Sequence, residues 1–289
     1  MNLTDRIYLA VHVALTVLVC ARYQRVEYWS WDVVWNVIAI ALIFLLAHKH
    51  SAGLGWEFAH DWLPAIFFIT VFEEVSYLSL SLRGDWQNAH LIAFESLLFA
   101  APPTLWMHEH FSSWMVEFLE FGYFAFYLLF PVFGGIFWIW RRSSRFAGAF
   151  RRLTDAFSIG YVLCYAAYIF FPTESPANRL GVRQIASAHG GPFHALVGFI
   201  QSHGGVHGNA FPSAHIMLAF VVLVFVWRFL PRVAPWLLVP ILLMCGGAVY
   251  DGYHYASDVV AGAAIGIVVG WACIRSMVRQ KQNPPVVGG

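Results

Sequence analysis

Charge is what this sequence has least of. Only 11% of the 289 residues are Asp, Glu, Lys or Arg and 60% are hydrophobic, which excludes a soluble domain of this size and leaves a polytopic membrane protein. A formal net charge of +1 provides no field to attract nucleic acid or an acidic partner. Cysteine is also sparse. Cys20, Cys164, Cys245 and Cys273 all lie in apolar runs without CxxC spacing, so they read as small hydrophobes and not as redox or metal ligands. Met1 to Tyr23 holds Arg6 and a long apolar run but no small-residue cleavage site, and is expected to be a retained first span. No internal repeat is evident.

What is abundant is long apolar runs. Spans are expected at about 7–22, 33–48, 62–82, 117–140, 153–171, 212–230, 235–253 and 256–275, each near the length needed to cross about 30 Å of hydrocarbon. The fold class is therefore all-α, a membrane bundle of about eight helices. Three regions are expected: N-terminal spans with an interfacial segment over 1–115, a second set of membrane helices over 116–275 with a loop at 172–210, and a disordered tail at 276–289. Basic residues crowd alternate connections: His48 to His50, Arg141 to Arg152, Arg228 with Arg232, and Arg275 to Lys281. With eight spans these fall on one side, which places both termini in the cytoplasm and the loop 172–210 outside. Arg22 and Arg25 dissent, beside Glu27 and Asp32.

Polar residues inside apolar stretches carry more information. Glu73 and Glu74 sit mid-span, where an ionised carboxylate costs roughly 2.5 to 3.5 kcal/mol on insertion scales. They either lock helices together or serve substrate or protons, and the second use would also suit a proton-coupled carrier. Asp85 to Phe111 is too interrupted to span and reads as interfacial or re-entrant. Within it, His108, Glu109 and His110 do not share a helix face, as a shared metal would require. The loop Pro172 to Ala210 carries Arg179, Arg183, His189, His194, His203 and His207, and Pro192 to Ser202 reads as an amphipathic surface helix. Gly262, Gly266 and Gly270 recur every fourth residue, a small-residue face for close helix packing.

Two short stretches hold the chemistry. Phe211-Pro212-Ser213-Ala214-His215 precedes one out-and-back pair of spans, and Tyr250 to Asp258 follows it, so His215 and His254 return to the same membrane face. Pro212 suits a helix first turn, and the amides of Ser213, Ala214 and His215 then form an anion site at the positive end of the helix dipole. His254 and Asp258, four apart, would share a helix face, with the carboxylate fixing the imidazole tautomer. One imidazole could attack phosphorus while the other protonates the leaving oxygen.

These boxes, Pro-Ser-x-His followed by His-x-x-x-Asp, resemble those of the type 2 phosphatidic acid phosphatase superfamily over roughly Phe171 to Gly270. The resemblance implies a six-helix lipid phosphatase-type core, His254 as nucleophile, Asp258 as its support and His215 as general acid. It implies neither metal nor other cofactor. Arg179 stands for the Arg of the first box; Arg183, Ser213 and Ala214 would help hold the phosphoryl oxygens. Two positions depart from the pattern, with Pro172 where Lys and Ala248 where Arg are usual, which looks more like the branch of inositol phosphorylceramide and sphingomyelin synthases. The expected partner is a lipid phosphate at the non-cytoplasmic face of a bacterial inner membrane, with an alcohol as possible acceptor. The alternatives are a headgroup transferase with little phosphatase activity, or a transporter, against which the paired boxes without inverted repeats argue.

Overall fold

The computed structural model describes residues 1–180, 191–204 and 208–282, and every regular element among them is helical. In chain order these are α1 (Leu3–Ala21), α2 (Trp29–Lys49), α3 (Leu54–Arg83), α4 (Asn88–Leu98), α5 (Pro103–His110), α6 (Ser113–Ile139), α7 (Ala149–Phe170), α8 (Pro176–Leu180), α9 (Pro192–Gly204), α10 (Ala214–Phe229), α11 (Ala234–Tyr250) and α12 (Ala256–Gln282). Six of them, α1, α2, α3, α6, α7 and α12, are long and apolar enough to cross a membrane, and α10 and α11 are shorter apolar helices. The chain is an integral, multi-pass helical bundle. The segment expected to be interfacial folds as the short helices α4 and α5. The last helix runs past the expected end at 275, so residues 276–282 are helical and not tail.

The spans alternate in direction, and their ends sort by charge. At one end Arg141 pairs with Glu57 at 2.7 Å, Arg152 with Asp155 at 3.0 Å and His60 with Asp5 at 3.0 Å, while Arg145 donates to the Phe229 carbonyl at 2.6 Å. Together with the Thr4 hydroxyl, which donates to Asp155 at 3.0 Å, those contacts gather the N-terminal ends of α1, α3 and α7 and the C-terminal ends of α6 and α10 at one end. At the opposite end lie the segments after α7 and before α10, the turn between α11 and α12, and α4. The two histidine boxes therefore share one end of the bundle.

Buried polar groups fix the N-terminal helices. His12 Nδ1 lies 2.5 Å from Asn36 Oδ1, and Asn36 Nδ2 donates to Glu74 at 2.7 Å, a chain linking α1, α2 and α3. Glu74 is thus a helix-locking residue, as one of its two expected uses required. Glu73 faces outward on the same helix.

The glycine face of α12 packs on α10. A Cβ at Gly262 would fall on the Ser213 carbonyl, one at Gly266 on the Met217 carbonyl, and one at Gly270 would touch Val224 at 3.1 Å. Backbones this close hold the start of α10, with His215, against the start of α12, with Asp258. Gly262→Leu should therefore lower the melting temperature in detergent, by the equivalent of about 1–3 kcal/mol for overpacking, and impair activity with it. Gly135→Ala, where nothing lies within 4 Å, is the neutral control. An unchanged melt for Gly262→Leu would refute the packing role.

Candidate active site

The site is built where two helix starts meet. Ser213 is the N-cap of α10, its Oγ accepting from the Ile216 amide at 3.3 Å, and its own amide donates to the Asp258 carbonyl at 3.1 Å. The helix thus begins at Ala214, and Pro212 precedes the cap instead of opening the first turn. Pro212 follows a cis peptide bond, and its carbonyl accepts from Tyr168 Oη at 2.9 Å. Of the three amides expected to be free for an anion, that of Ser213 is engaged by the backbone.

His254 stands in the turn between α11 and α12. Gly252, at φ 67, reverses the chain after Tyr250 in the left-handed region, and a Cβ there would meet the Ala177 amide nitrogen at 2.8 Å. The Ala177 amide instead donates to the Gly252 carbonyl at 2.8 Å, which docks α8 on this turn. His254 N–H donates to the Ala248 carbonyl at 2.9 Å, completing the turn.

The rings of His215 and His254 have centroids 6.1 Å apart. His254 is buried at 5% exposure, and its Nδ1 is 2.9 Å from the Ala210 carbonyl, so Nδ1 carries the proton and Nε2 keeps its lone pair. Burial pushes the His254 pKa down to about 4, against the opposing pull of the Ala210 carbonyl, which leaves the ring neutral and nucleophilic at neutral pH. Asp258 is fully buried and its Oδ2 lies 3.5 Å from the same Nδ1. The carboxylate does not reach His254 along a shared helix face, because the helix starts only at Ala256. Its Oδ2 accepts from the Tyr255 amide at 2.8 Å, closing the first turn of α12. The tautomer is fixed by a backbone carbonyl, and the Asp258 carboxyl group lies beside the ring.

Arg179 sits on α8, mostly exposed, with Nη1 4.0 Å from Glu174. Because α8 docks on the turn that carries His254, Arg179 lies at the edge of the site. Arg183, His189 and His207 lie outside the described residues, and His203 falls in the last turn of α9. His108 and His110 part company: the His108 ring packs on Tyr250 at 4.3 Å, whereas His110 Nδ1 bonds the Trp106 carbonyl at 2.8 Å.

Several supporting residues escaped the sequence reading. Asn88 accepts from the Glu174 amide at 3.0 Å and donates to the Glu174 carbonyl and to Tyr255 Oη at 2.8 and 3.0 Å. Glu95 accepts from the amide and hydroxyl of Ser257 at 2.9 and 3.1 Å. Thus α4 clamps the start of α12. Thr173 accepts from the Phe211 amide through Oγ1 and from the Ala210 amide through its carbonyl, at 2.9 and 3.2 Å, steering the approach to Ser213. Polar residues at the edge of an apolar helix were the available signal for Asn88 and Glu95; nothing in the sequence marks Thr173.

Comparison with known proteins adds a partial match. No curated protein and no solved structure showed significant similarity to the chain. The family comparison indicates no branch, and in particular nothing that singles out the inositol phosphorylceramide or sphingomyelin synthases. Residues 184–282, about a third of the chain, match the model of the PAP2 superfamily, a stretch that contains His215, His254 and Asp258 but neither Arg179 nor the helices α1 to α8.

Proposed function

We propose that this chain is a membrane-embedded phosphatase or phosphotransferase that acts on a lipid phosphate through a phosphohistidine at His254. The juxtaposed His215 and His254 rings, with Nε2 of His254 left as the free nucleophile, are the observation that carries this reading. In the first step Nε2 attacks phosphorus and the bond to the lipid oxygen breaks, that oxygen taking its proton from His215. In the second, water or an alcohol displaces the phosphoryl group from His254, giving its proton back to His215. The negative charge of Asp258 supports the positive charge that His254 acquires between the two steps. Arg179 and Arg183, with the Ala214 amide at the start of α10, would bind the phosphoryl oxygens.

The substrate preference follows from charge. Pro172 and Ala248 occupy the positions where the resemblance places Lys and Arg, so fewer cations meet the phosphate. A dianionic monoester is poorly matched, and a monoanionic diester headgroup, or a lipid diphosphate whose second phosphate is held by Arg183 or a loop His, is better matched. Purified protein incubated with labelled phosphatidic acid, a phosphodiester lipid and an isoprenyl diphosphate, with and without an alcohol acceptor, should release or transfer label fastest from the last two. Rapid monoester hydrolysis without any acceptor effect would overturn the preference, and no turnover of any phosphate ester would overturn the function. The positive-charge distribution further supports a site on the non-cytoplasmic face. A cysteine at Asp85, exposed at the site end, should then react with an impermeant reagent in intact cells, and one at Ser143 should not. The reverse pattern would put the site in the cytoplasm.

A further inference from the structure

Beside the histidine pair, α6, α9 and the end of α11 bring two carboxylates and an imidazole together. Glu120 is fully buried and Asp251 is 3% exposed. Glu120 Oε1 lies 2.8 Å from His194 Nδ1, while Glu120 Oε2 and both oxygens of Asp251 are buried without a hydrogen-bond partner among the described residues. One ligand atom from each residue can be chosen such that all three lie within 4.8 Å of one another. Buried oxygens left this way are costly, and each requires a proton or a cation to justify its place.

The surrounding sequence builds the arrangement. A Cβ at Gly247 would meet the Leu119 carbonyl at 2.9 Å and one at Gly122 the Met244 amide nitrogen at 2.7 Å, so the glycines let α6 and α11 approach closely enough for Glu120 to face Asp251. One turn before Glu120, Glu117 accepts from the amides of Gly191, Phe193 and His194 at 2.6, 3.0 and 3.3 Å, which pins the start of α9 and orients His194. The three groups are thus held from three separate elements.

We infer that Glu120, Asp251 and His194 form a binding site for a divalent transition-metal cation such as Mn²⁺, which the resemblance to a metal-independent family does not anticipate. Two carboxylate oxygens and one imidazole nitrogen are a ligand set for such ions, and an octahedral ion at about 2.1 Å from its ligands separates them by about 3 to 4.2 Å. A single shared proton would join Glu120 to Asp251 yet leave a further buried oxygen without a partner. The site also adjoins the chemistry: Tyr123, on the α6 face that carries Glu120, has its ring 6.3 Å from His215 and 5.1 Å from Tyr253. A cation there would add positive charge where Ala248 supplies none.

Binding is measured without substrate, so its outcome is independent of the phosphate-ester reading. The full-length protein in detergent, stripped with EDTA, is titrated with Mn²⁺ and free Mn²⁺ is followed by electron paramagnetic resonance. One saturable equivalent is expected, with nitrogen hyperfine coupling from His194 in the bound signal. Glu120→Gln and Asp251→Asn should each weaken binding at least about 10-fold, the lower bound even for residues outside the first coordination shell. His194→Gln, at a half-buried position, should remove the nitrogen coupling, and His254→Ala should leave Mn²⁺ binding intact. No saturable Mn²⁺ in the wild type, bound Mn²⁺ without nitrogen coupling, or undiminished affinity in a folded Asp251→Asn would each overturn the site and leave Glu120 and Asp251 as a proton-sharing pair.

Discussion

Replacing His254 by Ala should abolish both turnover and phosphoenzyme labelling, a loss on the order of 10⁶-fold in kcat, the scale seen when a covalent nucleophile is removed. Among the described residues no other imidazole is placed to take over: the His215 ring centroid lies 6.1 Å away, and it meets Phe126 at 5.0 Å and Tyr123 at 6.3 Å. His215→Ala should behave differently. Loss of the general acid slows departure of a poor leaving group by roughly 10²- to 10⁴-fold but leaves Nε2 of His254 intact, so an activated ester should still label the protein. Rapid-quench labelling of the two variants with one activated and one ordinary substrate separates the roles. Label retained in His254→Ala would refute the nucleophile, and equal labelling defects in both variants would refute the division of labour. The buried, neutral His254 also predicts the acid limb. As pH falls through about 4 the ring gains a proton and the nucleophile is lost, so activity should persist well below the pH of about 6.5 at which an ordinary histidine titrates.

The elements that were legible before the structure are those whose signal is local. Apolar runs located the bundle because hydrocarbon tolerates little else, and the spacing of Gly262, Gly266 and Gly270 located the contact of α12 with α10 because only glycine leaves room there for the Ser213 and Met217 carbonyls. The pairing of His215 with His254 followed from counting passes. Geometry within the site was not legible. A helix-face argument put Asp258 under His254, but the helix starts after His254, and the carbonyl of Ala210, far away in sequence, takes the Nδ1 proton. No residue type announces a backbone carbonyl. The anion site at Ser213 was similarly misjudged, since nothing in Phe211 to His215 reveals that the Asp258 carbonyl will claim the Ser213 amide. Glu120 was available to the same reasoning that singled out Glu73 and Glu74, a carboxylate within an apolar span, and of the three Glu73 turned out to face outward.

Asp258→Asn should reduce kcat by about 10²-fold or more while leaving the fold intact, and the geometry says which part of the carboxylate is responsible. Oδ2 of Asp258 has two neighbours, the Tyr255 amide at 2.8 Å and His254 Nδ1 at 3.5 Å. An Asn oxygen can accept from the Tyr255 amide equally well, so the first turn of α12 survives. The imidazole tautomer survives too, because the Ala210 carbonyl holds the Nδ1 proton. What is lost is the negative charge next to a ring that becomes cationic once Nε2 carries the phosphoryl group. Inside a buried site that charge is poorly screened, so its removal acts on the step that forms the intermediate and raises the barrier. Substrate binding before that step is affected little, and the defect should fall on kcat rather than KM. Asp258→Ala adds a second loss, the cap on Tyr255, worth about 1 kcal/mol of stability, and should melt earlier than Asp258→Asn at similar activity. Activity within about twofold of wild type in Asp258→Asn, far short of a general-base or electrostatic effect, would reduce Asp258 to a capping residue. A rise in KM without change in kcat would instead place its charge in ground-state binding and refute its role in supporting the phosphorylated histidine.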